Sequence, residues 1–111
     1  ADRAMAEVRG LLKTANINLD PQLAAMDARL ATLAALGVDP ARVQFTAHFG
    51  RNMEYYTGFV FEMWARDKEG PVQIAGGGRY DTLLETLGAK SPVSAIGCAI
   101  RTERLLAVKG A

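Results

Sequence analysis

The sequence predicts an α+β fold in which helices flank an antiparallel β-sheet. Three observations carry the prediction. Two leading stretches repeat apolar residues every three to four positions, the stretches after Pro40 alternate instead, and a short polar turn joins two β-rich runs. At 111 residues, half of them hydrophobic, the chain can hold one domain or part of one. It opens with Ala1 directly in a helical pattern, so an excised segment with missing neighbours is expected.

From Asp2 to about Thr14, Met5, Val8, Leu11 and Leu12 recur at helical spacing, with Arg3, Glu7 and Lys13 around the rest of the cylinder. Asn16 to Asp20 reads as a turn, with Asp20 as cap and Pro21 at the first position of a second helix. Leu23, Met26, Leu30, Leu33 and Leu36 continue that helix to Gly37, which can supply a left-handed stop. Val43, Phe45, Ala47 and Phe49 then alternate with Arg42, Gln44, Thr46 and His48, the period of a strand. Tyr55 to Trp64 and Val72 to Ala75 read as a hairpin around Arg66, Asp67, Lys68, Glu69 and Gly70. Gly76, Gly77 and Gly78 are expected to break the strand, and Tyr80 to Leu87 to form a short helix closed by Gly88. Ser94 to Arg101 reads as a last strand and Thr102 to about Val108 as a last helix. The expected organisation is a helical lead-in over residues 1–40 and a sheet with helices over 41–111, both parts of one fragment.

Lys and Arg number 13 against 12 Asp and Glu, a formal net charge of +1, which lacks the basic excess of a free-standing nucleic-acid binder. The single cysteine, Cys98, lies in a small-residue apolar run, where a buried thiol in a reducing, cytoplasmic setting is expected. No apolar run approaches the roughly 20 residues that span a bilayer, so no membrane association is expected. The single histidine, His48, has no cysteine or carboxylate cluster around it to suggest a metal site. No serine or cysteine sits in the context of an activated nucleophile.

Three segments could carry chemistry. In GRNMEYYTGFVFE, Gly50 to Glu62, two adjacent tyrosines in a strand would point to opposite faces, one free to line a pocket. Arg51 there offers a planar fork of donors suited to a carboxylate or phosphate, although an ordinary Arg51–Glu54 ion pair fits the spacing equally well. The triple glycine before Arg79, Tyr80 and Asp81 lets a backbone turn tightly or approach a ligand, and a plain turn is the simpler reading. In AIGCAIRTERLL, Ala95, Gly97 and Ala99 share a face with room for a flat ligand or a close backbone, and Arg101 projects from that face. Glu103 and Arg104 read first as a solvated helical turn.

In this order and spacing the three segments resemble the carboxy-terminal half of the histidyl-tRNA synthetase catalytic domain, a class II aminoacyl-tRNA synthetase fold. RNMEYYTGFVFE is similar to the family's R-G-L-D-Y-Y-T-G run followed by V-F-E, with Asn52, Met53 and Glu54 departing from it. IAGGGRYDTLL resembles its second histidine-specific motif, and AIGCAIRTERLL resembles motif 3, the strand and helix that hold ATP. The likeness covers roughly Val43 to Leu106, with the leading helices fitting the region that precedes it. Counterparts of motifs 1 and 2 and of an anticodon-binding domain are not found, so the expected fold is a partial one with an exposed sheet edge that invites pairing.

The resemblance implies roles position by position. Arg51 would reach the histidine carboxylate, Tyr55, Tyr56 and Tyr80 would line the histidine pocket, and Gly76, Gly77 and Gly78 would let the backbone approach the amino acid. Arg104 would support ATP beside Glu103. One departure selects within the family: a working synthetase usually has glycine where this chain has Arg101, and a side chain there should obstruct the adenine. A histidine pocket kept beside a vestigial ATP site is the pattern of the synthetase-like regulatory subunits of ATP phosphoribosyltransferase in histidine biosynthesis. Such a protein is not an enzyme by itself. It would bind histidine and the catalytic subunit, use no cofactor, leave tRNA alone, and work as a homodimer within a cytoplasmic hetero-oligomer under allosteric control. The alternative is a fragment of an authentic histidine–tRNA ligase in which Arg101 swings clear of ATP.

Overall fold

Both predicted leading helices form, at Asp2–Thr14 (α1) and Asp20–Ala35 (α2) of the computed structural model, which describes residues 2–46, 49–50 and 54–110. On α1, Met5 is buried and Val8 and Leu12 are half-buried, while Leu11 is 70% exposed. At about 100° of rotation per residue, Leu11 falls a full residue step off the stripe that the other three define. Asn16, at φ 54°, closes α1 with two backbone bonds, its own amide to the Lys13 carbonyl and that of Ile17 to the Leu12 carbonyl.

Asp20 is not the cap of α2. It is the first helical residue, Leu19 precedes it as cap, and the Asn18 side chain accepts the Asp20 amide at 2.9 Å. Pro21 still lies in the first turn, where its missing N–H costs nothing, and the Asp20 carboxylate lies at the positive end of the helix. Leu23 is buried, Met26, Leu30 and Leu33 are half-buried, and Gly37 at φ +85° ends the helix as expected. Arg9 of α1 bonds Asp27 of α2 across an exposed surface, which contributes little to stability.

The strand expected over Val43 to Phe49 does not form among the described residues. The Asp39 carboxylate accepts the Ala41 amide at 2.9 Å and opens a 3-10 turn, Pro40–Arg42, after which Val43 is extended but joins no ladder. Alternation fixes which side chains share a face, but only a paired neighbour turns an extended run into a strand. Ala47 and His48 of that run lie outside the described residues, as do Arg51, Asn52 and Met53.

Residues 50–111 form a second compact unit, separate from residues 1–49. Its core is an antiparallel sheet of order β1-β2-β3, formed by Val60–Arg66 (β1), Pro71–Arg79 (β2) and Ile96–Ile100 (β3). The predicted hairpin is present. The Asp67 carboxylate accepts the amides of Glu69 and Gly70, at 2.8 and 3.0 Å, and the Asp67 amide donates to the Gly70 carbonyl. Asp67→Ala removes an acceptor for two turn amides, so the urea midpoint should fall by the equivalent of about 1 kcal/mol at unchanged slope.

The strand begins at Val60, not Tyr55, so the two tyrosines precede it and are not forced to opposite faces. The glycine run does not break β2. Gly76, Gly77 and Gly78 pair with both neighbours, opposite Glu62, Phe61 and Val60 on β1 and Ala99, Cys98 and Gly97 on β3. A backbone satisfied on both sides offsets the weak strand preference of glycine, and Ala75 to Gly78 are buried. A bulge between Met63 and Trp64 shifts the β1–β2 register.

The short helix is Leu83–Thr86 (α3), starting later than Tyr80 because Arg79 and Thr57 hold Asp81 outside it, and Gly88 at φ +103° ends it. The last helix, Thr102–Lys109 (α4), is tied to β2 by the Arg104 guanidinium, which donates to the Gln73 carbonyl at 3.2 Å. Cys98 is exposed rather than buried, because alternation puts it with Ile96 and Ile100 on the open face of an edge strand. Among the described residues no helix is long and apolar enough to cross a membrane.

Candidate functional site

Directly opposed residues of an antiparallel sheet share a face, so Val60, Gly78 and Gly97 line one row and Glu62, Gly76 and Ala99 the next. Four of these six positions carry glycine or alanine, leaving space above β2 and β3. Aromatic rings fill part of it. A side chain at Gly78 would meet the Tyr56 ring at 2.8 Å, and one at Gly97 would meet the Tyr80 hydroxyl at 2.6 Å. The small-residue face therefore accommodates phenol rings rather than standing open for a flat ligand along its whole length.

Tyr55, Tyr56 and Tyr80 form one cluster. Ring centroids are 4.7 Å apart for Tyr55–Tyr56, 5.4 Å for the edge-on pair Tyr55–Tyr80 and 6.3 Å for Tyr56–Tyr80. These are favourable aromatic separations, and all three rings are half-buried. Each phenol can donate and accept a hydrogen bond, so the cluster can orient a planar ring with a donor on one edge and an acceptor on another.

The backbone around the cluster is tied at several points. The Thr57 amide donates to the Arg79 carbonyl at 3.0 Å, the Arg79 amide to the Phe59 carbonyl at 2.8 Å and the Tyr80 amide to the Ala95 carbonyl at 2.8 Å. The Asp81 amide donates to the Thr57 hydroxyl at 2.9 Å. The Arg79 guanidinium donates to the Asp81 carboxylate at 2.8 Å and to the Ser94 hydroxyl at 3.0 Å, and its hydrogen bond holds the Asp81 carboxyl below the usual carboxylate range. The spacing of Arg79 and Asp81 on either side of Tyr80 was visible in the sequence, but nothing local marked Thr57 and Ser94 as their partners.

Of the residues expected at the histidine site, Tyr55, Tyr56 and Tyr80 are brought together, with Gly78 beneath Tyr56 and Gly76 further along the same sheet face; Gly77 faces the other side of the sheet, and Arg51 lies outside the described residues. Arg101, Glu103 and Arg104 are elsewhere. Arg101 follows β3 as the residue preceding α4, is exposed, and donates its amide to the Ile74 carbonyl at 2.8 Å. It is thus at the strand's end rather than within the strand. From Ile74 to Gly78 is four residue steps along β2, about 13 Å at roughly 3.3 Å each. The two groups of residues therefore sit toward opposite ends of one glycine-rich strand.

A sheet that presents these three motif segments together is of the class II aminoacyl-tRNA synthetase kind, and the comparison with known families agrees: the family model described as histidyl-tRNA synthetase matches residues 3–105. The chain belongs to the histidyl-tRNA synthetase family. Among curated relatives, it is 44% identical over 102 residues to a protein of Allorhizobium ampelinum named ATP phosphoribosyltransferase regulatory subunit, covering 92% of this chain and 27% of that protein. Relatives of the same name in Agrobacterium fabrum and Rhizobium meliloti are 45% and 43% identical, over 86% and 82% of this chain and 25% and 24% of theirs. The chain thus spans about a quarter of the length of these relatives. No solved structure matches the chain significantly.

Proposed function

We propose that the chain is the part of a regulatory subunit of ATP phosphoribosyltransferase that carries its histidine pocket. The observation that carries this reading is the convergence of Tyr55, Tyr56 and Tyr80, from two separate motif segments, over the glycine floor contributed by β2 and β3. An imidazole presents one ring N–H and one bare nitrogen, and phenols match both. Arg51 receives the amino acid's carboxylate, for which its planar fork is suited.

The same reading assigns Arg101, Glu103 and Arg104 to a vestigial ATP site. Arg101 puts a long cationic side chain where a synthetase usually keeps glycine, and the protein senses histidine without adenylating it or charging tRNA. Histidine acts through a coupling free energy with the catalytic subunit, of about 1–3 kcal/mol for typical allosteric pairs, by binding better to the inhibited arrangement of a cytoplasmic hetero-oligomer built on a homodimer. The names of the curated relatives support this assignment.

Retention of Glu103 and Arg104 supports a second reading in which ATP is still bound and the parent protein is a histidine–tRNA ligase, although the Arg104 guanidinium already donates to the Gln73 carbonyl. Calorimetric titration of the full-length protein with histidine and with ATP decides between them. Histidine binding without ATP binding, with ATP affinity gained in Arg101→Gly, is expected. Tight ATP binding by the native protein would sink the regulatory reading.

A further inference from the structure

We propose that Arg79 and Asp81 are positioning residues for the tyrosine cluster, clamping the segments that carry Tyr55, Tyr56 and Tyr80 into a single rigid unit. The inference rests on the histidine pocket proposed above and adds the residues that set its geometry. Neither is offered as a contact to the ligand.

Tyr80 lies between the two clamp residues in sequence, and Thr57 follows Tyr55 and Tyr56 directly. Thr57 is fixed twice, its amide to the carbonyl of Arg79 and its hydroxyl to the amide of Asp81. The Arg79 side chain then closes the ring of contacts. Its stem runs along Gly58, where an added Cβ would lie 3.4 Å from Cδ, and its guanidinium spans Asp81 and Ser94. Ala95, next to Ser94, receives the Tyr80 amide.

Three separate stretches, 57–59, 79–81 and 94–95, are therefore joined, the first through the backbone of Arg79 and Asp81 and the last through the Arg79 guanidinium and the Tyr80 amide. The bond to Asp81 is charge-assisted and stronger than the neutral bonds beside it. The pair is only partly exposed, 47% for the Arg79 side chain and 34% for that of Asp81, and an ion pair in such a setting adds modestly to stability while fixing the geometry of its partners. Holding polar groups within a fraction of an ångström of a productive arrangement is the effect such a clamp can supply.

The test is a double-mutant cycle on the full-length protein, with histidine affinity read by calorimetry and ring packing by near-ultraviolet circular dichroism of the tyrosines. Asp81→Ala should weaken histidine about tenfold, the order seen when a supporting shell is removed. Asp81→Asn, which keeps an acceptor for Arg79, should recover most of that loss. In a Tyr80→Phe background, Asp81→Ala should cost clearly less than it does alone, because part of its effect passes through the placement of the Tyr80 hydroxyl.

Full affinity in folded Asp81→Ala, or strictly additive losses with Tyr80→Phe, overturns the proposal. If Asp81→Ala does not fold, Ser94→Ala removes one arm of the clamp, and unchanged affinity and unchanged dichroism there overturn it too. Should the native protein fail to bind histidine, the functional reading falls and the clamp is judged alone. It stands if Asp81→Ala alters the tyrosine dichroism with the far-ultraviolet spectrum intact, and falls if both spectra are unchanged.

Discussion

Gly77→Ala should unfold the sheet unit or cost it about 3 kcal/mol or more. A Cβ built at Gly77 lies 2.0 Å from the Gly97 carbonyl oxygen and 2.8 Å from the Cys98 Cα, both backbone atoms of β3. A side-chain neighbour could rotate away. A backbone neighbour can move only by leaving the ladder that joins Ala75–Arg79 to Ile96–Ile100. Overpacking ordinarily costs about 1–3 kcal/mol, and this contact lies at the severe end because the relieving motion breaks hydrogen bonds as well. A unit of this size holds roughly 3–9 kcal/mol in all, so a single methyl removes a third of it or more. Urea unfolding followed by far-ultraviolet dichroism measures the effect, and a native midpoint in the variant would mean that β2 and β3 are not apposed at Gly77 and Cys98.

Gly97→Ala should have the opposite profile, with a small loss of stability and a large loss of histidine affinity. Its Cβ would lie 2.6 Å from the Tyr80 hydroxyl and 3.2 Å from the ring carbon Cε1, atoms at the far end of a side chain that can swing. The strand tolerates the methyl while the phenol leaves its place in the cluster. Histidine binding is expected to weaken about tenfold or more, roughly the 1.4 kcal/mol that displacing one hydrogen-bonding group removes. Adding Tyr80→Phe to Gly97→Ala removes the atom in closest conflict and should restore most of the lost stability without restoring affinity. Equal losses of stability in Gly77→Ala and Gly97→Ala would contradict the distinction between a backbone and a side-chain neighbour.

Periodicity made the helices legible. Met5, Val8 and Leu12 on α1 and Leu23, Met26, Leu30 and Leu33 on α2 lie on the inward stripes, whereas Leu11 and the capping Leu36, at the same spacing, are exposed; Gly37 and Gly88 mark the ends where left-handed backbone is needed. The hairpin was equally plain, because Asp67 and Gly70 encode their turn locally. What escaped the sequence depended on partners distant in the chain. Val43 to Phe49 alternates as a strand does, yet whether it pairs is decided elsewhere. The glycines of β2 looked like a break because strand preference counts side chains, whereas here two neighbouring strands satisfy the backbone. Tyr55 and Tyr56 were grouped with Tyr80 only through family resemblance. Their rings meet because they lie before β1 rather than in it, a boundary that the aromatic run Tyr55 to Trp64 conceals.

The glycines of β2 bring no side chains to the face they share with β3, so the apolar cover at Gly78 and Gly97 comes from Tyr56 and Tyr80, the rings that would meet a ligand. Recognition and folding then draw on the same atoms. A small molecule that shifts those rings must also change how tightly the sheet is closed, and by reciprocity anything that tightens or loosens the sheet, a partner gripping an edge strand included, must retune the affinity for that molecule. In such an arrangement no relay between a pocket and its scaffold is required, because the rings that would line the pocket are the scaffold's missing layer.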